Sequence, residues 1–211
     1  MRLHYAFFYL IAIVASTCIP RLLETPKDAA RIARRLVRDT TIGTLVTTMN
    51  SEDREGLGGY PFGLLDYYAD ECPSTGNLLL LMTPLQLNFR NARSNDWKAS
   101  FSIRQLGNNT FNPVEKPRVN LFGLIEKVPE SEVTNVQECF LKAHKDAVYW
   151  IPGRSHDFAF YRFIVKDIYY VGGFGGLHYI GWIDKHLYFD ANVHENLNSN
   201  TKSNFGLIKE D

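Results

Sequence analysis

Apolar and polar residues alternate with a period of two along most of this chain, and in three places the period lengthens to that of a helix. Ala29, Ile32, Ala33, Leu36 and Val37 recur at helical spacing, and Thr25 followed by Pro26 supplies an N-cap and a first helical residue. Ile42 to Thr48 reads as a strand, and the polar, glycine-bearing Ser51 to Gly59 reads as a loop. Tyr60 to Tyr68 and Leu78 to Met82 are further strands, joined around Pro73-Ser74-Thr75-Gly76. Pro84 opens a short helix that runs to about Ala92. Lys98 to Leu106 and Arg118 to Val128 read as long strands. Pro129-Glu130-Ser131 leads into a third helix with the stripe Val133, Val136, Phe140 and Ala143.

Two segments close to the carboxy-terminal end are dense in aromatic and β-branched residues, Phe158 to Val165 and Ile168 to Val171. Lys166-Asp167 breaks the pattern between them, which predicts a hairpin. Gly172, Gly173, Gly175 and Gly176 then let the backbone bend, and Tyr179 to Ile183 adds a last strand. The glycines do not make a dinucleotide loop, because the last position of that motif is His178 and no helical pattern follows. Strands dominate and do not alternate with helices. The expected class is therefore mainly β with flanking helices, a barrel rather than a βαβ sheet.

The amino terminus adds a compartment. Arg2 precedes the uncharged apolar run Tyr5 to Ala15, and Val14-Ala15-Ser16 or Ala15-Ser16-Thr17 offers small residues for cleavage. Residues 1–17 read as a secretory signal peptide, too short for a typical membrane span of about 20 residues, with an uncleaved anchor as the alternative. Residues 18–190 are the expected domain, and 191–211 form a polar tail that is expected to be mobile. No other run is apolar enough to span a bilayer. With 23 basic and 23 acidic residues, the chain has no general attraction for nucleic acid or anionic membranes. The expected route is secretory, to the outside or to a vacuole or lysosome.

That compartment changes the reading of two features. Cys72 and Cys139 can pair under oxidising conditions, but the apolar stripe beside Cys139 favours a small buried hydrophobe instead. Asn108-Asn109-Thr110 is the sole N-glycosylation sequon and falls in a loop-like connection, so Asn108 is the expected glycosylation site, with an unused sequon as the alternative.

Catalytic signatures are sparse. The chain has no metalloprotease helix, nucleophile elbow, phosphate loop or paired-cysteine zinc pattern. His178, His186 and His194 are spaced by eight, which places no metal face on a helix or a strand. His156-Asp157, opening a strand, suits a cap on backbone groups better than an acid/base pair. No catalytic or metal-binding residue is therefore assigned.

A family does show through. His156-x-Phe158 with Tyr161-Arg162, then Val171-Gly172-Gly173-Phe174-Gly175, resembles the FMN-binding split-barrel superfamily, closest to its CREG-like and HugZ-type branches. Pyridoxamine 5′-phosphate oxidase belongs to the same superfamily. Thr83-Pro84-Leu85-Gln86-Leu87 with Asn91 resembles the segment that opens a short helix beside the flavin phosphate. Gly59-Tyr60-Pro61 and the residues Ala29, Arg31 and Leu36 fall where that family has a strand entry and its leading helix. The likeness spans roughly residues 26–190 and implies an FMN-binding-type split β-barrel, a homodimer and FMN as a possible cofactor. It also marks three flavin-phosphate candidates. Thr83 offers a hydroxyl, Asn88 stands where the family often has Lys or His, and Gly63 takes an inward position on a strand where flavin-using oxidases supply cations. With so little positive charge there, the expectation is a non-enzymatic binding or interaction protein without a cofactor. Its partner is an unidentified protein or small molecule. The alternatives are an FMN-dependent oxidoreductase of small molecules and, third, a haem-handling protein.

Overall fold

A computed structural model of the chain describes residues 23–105, 112–154 and 156–191. Helix α1 spans Pro26–Thr40, followed by strands β1 (Ile42–Thr48), β2 (Pro61–Tyr67), β3 (Ala69–Asp70) and β4 (Leu78–Met82). Helix α2 (Leu87–Ser94), strands β5 (Lys98–Arg104) and β6 (Arg118–Lys127) and helix α3 (Val133–Ala143) come next. Strand β7 (Ala159–Val171), strand β8 (Ile180–Ile183) and helix α4 (Lys185–Phe189) complete the described chain. Asn108, the leader and residues 192–211 of the tail lie outside the described residues.

One antiparallel sheet carries the fold, in the order β2-β1-β5-β6-β7-β4-β3, with β8 paired to the second half of β7. β4 takes the first half of the same edge of β7, from Leu78 opposite Phe163 to Met82 opposite Ala159. The sheet curls around α1, the arrangement of a split barrel.

Helix α1 starts where the sequence places it. The Thr25 hydroxyl accepts from the Asp28 N–H at 3.2 Å, and Asp28 Oδ2 accepts from the Thr25 N–H at 3.1 Å, which closes a capping box. Ala29, Ala30, Ala33, Leu36 and Val37 then pack into the concave face with Leu45, Phe101, Leu121 and Phe163. A second cluster lies on the other side of β4. There Val136, Cys139 and Phe140 of α3 meet Leu79, Leu81, Val128 and Phe160. Leu78 to Met82 is apolar at every position because both of its faces are covered. Each of its leucines contributes about 1.5–3 kcal/mol by burial.

Three expectations are corrected. Phe158–Val165 and Ile168–Val171 are not a hairpin, because Ala159 to Val171 is one strand of 13 residues. The register against β6 steps between Phe122, opposite Asp167, and Gly123, opposite Val165, so Lys166 is the extra residue of a β-bulge. A bulge shifts the in–out alternation by one position and leaves two polar residues side by side, which in sequence looks like a turn. Gly123 is required at that step, since a Cβ there would press on the Ile164 carbonyl. The second correction is at α2, which begins at Leu87, because Pro84, Leu85 and Gln86 form a turn instead. The third concerns Cys139, which is buried as expected yet disulfide-bonded to Cys72 across a Cα–Cα distance of 5.8 Å. The apolar stripe records only that Cys139 faces inward, not that another thiol faces it.

Candidate functional site

Thr83 ends the buried run of β4, and its polar atoms are committed at once. Its hydroxyl donates to the His156 carbonyl, its N–H donates to Gln86 Oε1 at 3.1 Å, and its carbonyl accepts from the Gln86 N–H at 3.0 Å. The hydroxyl thus ties the α2 turn to His156 and Asp157, two exposed residues in the left-handed region (φ 58° and 49°) just before β7.

Asn88 is buried at the second residue of α2. Its Oδ1 accepts from the Thr47 hydroxyl at 2.8 Å, and its Nδ2 donates to the Leu45 carbonyl at 3.2 Å. Asn91 completes the network, donating from Nδ2 to Thr47 Oγ1 at 3.2 Å and accepting the Asn50 N–H at 3.1 Å. The short helix is thereby stitched to β1 through the buried side chains of Thr47, Asn88 and Asn91, whose bonds are costly to break. Thr47 carries no motif in sequence. Only its place on the buried side of β1, facing α2, reveals its part.

Gly63 does not take the inward position expected of it. The buried residues of β1 are Gly43, Leu45 and Thr47, which oppose Asp66, Leu64 and Phe62. Gly63 opposes Val46 and lies on the outer face, where a Cβ would meet Thr44 Cγ2 at 3.1 Å and Val46 Cγ2 at 3.3 Å. The exposed, adjacent Leu64 and Leu65 blur the alternation of β2, so its phase reads one residue off in the sequence.

Beside these groups an open cleft of about 400 Å³ lies between the 51–60 loop, the start of β2 and α2. Met49, Leu57, Tyr60, Pro61, Phe62 and Leu87 form its apolar wall. Its charged residues are Asp53, Arg54 and Arg90. Arg90 Nε donates to Asp53 Oδ1 at 2.9 Å, and its Nη1 donates to the carbonyls of Leu85 (2.9 Å) and Pro84 (3.3 Å).

Flavin chemistry needs a phosphate cradle with free donors and a cation. The three candidates Thr83, Asn88 and Gly63 do not make one. Thr83 and Asn88 spend their donors inside the protein, and Gly63 faces away from the barrel interior. Burial also pushes the phenols of Tyr68, Tyr170 and Tyr188 well above the usual range, so none is poised as a base. The described histidines are dispersed. His144 is buried, stacks on Tyr67 and has Nε2 2.8 Å from the Tyr68 carbonyl, whereas His178 Nδ1 lies 2.9 Å from Glu24. His186 sits in α4, and His194 lies outside the described residues. Among the described residues no three His, Cys, Asp or Glu side chains gather as a metal site, and no helix is long and apolar enough to cross a membrane.

Comparison with known proteins agrees with the architecture. A haem-binding protein from Mycobacterium smegmatis superposes with a TM-score of 0.63 at 25% identity, over 76% of this chain and 59% of that one. The present chain therefore spans less than two thirds of that protein's length. A protein of unknown function from Agrobacterium tumefaciens matches with a TM-score of 0.58 at 18% identity, over 74% of this chain and 62% of the other. The haem storage protein HutZ from Vibrio cholerae gives 0.51 at 11% identity, over 70% and 94%. These last two share the fold alone. No curated protein sequence is significantly similar to the chain. The family model described as CREG, beta-barrel, matches residues 24–190, the whole span from the capping residue of α1 to the end of α4. With that match and the split-barrel sheet, this chain belongs to the CREG beta-barrel family.

Proposed function

We propose that this protein is a non-enzymatic binding module of the secretory route, a homodimer glycosylated at Asn108, whose barrel does not hold FMN tightly. The observation that carries the reading is the internal commitment of Thr83 and Asn88, which leaves a flavin phosphate without its donors. The Cys72–Cys139 pair supports an oxidising compartment. Two missing charge-assisted bonds, each worth about 1.5–3 kcal/mol, weaken FMN by roughly two to four decades.

Titration of the purified protein with FMN, followed by flavin fluorescence, tests this. We expect colourless protein and binding weaker than micromolar. Submicromolar binding that Thr83→Ala abolishes overturns the reading in favour of a flavin-dependent oxidoreductase. A third reading, haem handling, is favoured by the haem-binding relative at 25% identity. A Soret band that shifts on addition of the protein to haemin would select it.

A further inference from the structure

We propose that the cleft between the 51–60 loop, β2 and α2 binds a small aromatic anion, an apolar ring bearing one carboxylate or sulfonate, with Arg54 and Arg90 as its counter-ions. The inference rests on the reading of the barrel as a binding module and names the class of ligand.

The walls set the apolar half of the ligand. Met49, Leu57, Tyr60, Pro61, Phe62 and Leu87 enclose about 400 Å³, the lower part of the range for small-molecule sites. Tyr60 and Leu57 are exposed at the mouth, so their surface becomes dry only when something covers it.

The charges set the other half. Two guanidinium groups and one carboxylate line the cleft, which leaves one positive charge in excess. Glu52 and Glu55 belong to the same loop but not to the lining. Arg54 has no ion pair among the described residues. Arg90 is held in place by the Pro84 and Leu85 carbonyls, so its charge is fixed rather than free to swing away. Asp53, on the loop side of the contact, already occupies Arg90 Nε as an internal anion. That side chain belongs to a loop of exposed residues with left-handed glycines at Gly56 and Gly59 (φ 79° and 83°). A ligand anion therefore competes with one ion pair that is partly exposed, and such pairs are weak.

A matched pair of probes separates charge from greasiness. Anilinonaphthalenesulfonate and N-phenylnaphthylamine share one ring system and differ by the sulfonate. In fluorescence titrations of the folded protein the sulfonate is expected to bind at least about tenfold more tightly, and added salt should narrow the ratio. Arg54→Gln, at an exposed position where folding is not at stake, should reduce the ratio roughly tenfold. Asp53→Asn should raise it several-fold by releasing Arg90, with the neutral probe unchanged. Equal affinity for the two probes, or a ratio that neither substitution moves, overturns the inference. FMN binding abolished by Thr83→Ala would instead overturn the non-flavin reading and leave the probe ratio as it was.

Discussion

Asp66 shows how one residue couples this fold to pH. It stands on the interior side of β2 opposite Gly43, and its carboxylate accepts the N–H of Tyr67 at 2.9 Å. Burial outweighs that bond and pushes the carboxyl up to about 6. The folded chain thus holds this proton more tightly than the unfolded chain, whose carboxyl titrates near ~3.9. The group therefore costs nothing below about pH 4, and its penalty grows as pH rises through about 6. Asp66→Asn is expected to stabilise the protein at pH 7 by up to about 3 kcal/mol and to flatten the slope between about pH 4 and 6. Urea denaturation at several pH values measures both effects. An unchanged slope would mean that solvent reaches the carboxylate.

Between elements, the connection from β3 to β4 is fastened to four other elements. The Cys72–Cys139 bond ties it to α3, and Glu71 pairs with Arg162 of β7. Ser74 accepts from Arg34 Nη2 of α1 at 2.8 Å, and the Gly76 carbonyl accepts from the Tyr188 hydroxyl of α4 at 2.9 Å. Arg34 is 2% exposed, lies over the Tyr188 ring and has Asp70 at 3.8 Å, so a buried charge anchors α1 to this loop. The disulfide closes 67 residues of chain, for which the loss of unfolded-state entropy amounts to about 4 kcal/mol. Replacing both cysteines by serine is expected to lower stability by about 2–4 kcal/mol, and reduction of the unmodified protein should do the same. Thermal melts with and without reductant, beside non-reducing peptide maps, provide the check. A melt insensitive to reductant would show that the tethered loop is held by its polar contacts alone.

At the scale of the whole molecule, the outer face of the sheet is left open beyond the reach of α3. Trp182 is 54% exposed and lies against Tyr169 and Phe122, and Leu65 at the other edge is 70% exposed. Toward its middle this face carries Thr44, Val46, Ser100, Ser102 and Asn120, none of them charged, while Lys98, Arg104 and Arg118 lie on it at the strand ends. Apolar edges flanking an uncharged centre suit a self-complementary contact between two copies. Light scattering is expected to give twice the chain mass at micromolar concentration, and Trp182→Glu should shift it toward the monomer. A native protein that stays monomeric at that concentration would refute the dimer. A dimer indifferent to Trp182→Glu would move the contact to another face.

Local sequence determined most of the elements by itself. Thr25, Pro26 and the stripe behind them specify α1, because capping and helical period are encoded within a few residues. β1 and β4 likewise keep the bounds that their composition predicts. The same short-range patterns identified the family from the strand and glycine motifs near the carboxy-terminal end. What the sequence did not determine depends on partners distant along the chain. The bulge at Lys166 exists only against Gly123 and Phe122 of β6. The inward or outward sense of Gly63 follows from its register with Val46. The pairing of Cys139, the consumption of Thr83 by His156 and the clamp of Arg90 on Asp53 each join residues that are many positions apart. Side-chain alternation has a period of two whichever face is buried, so only packing fixes its phase. A polar group likewise reads the same in sequence whether its hydrogen bonds are open to a ligand or already spent, and in this barrel tertiary contact decided that question.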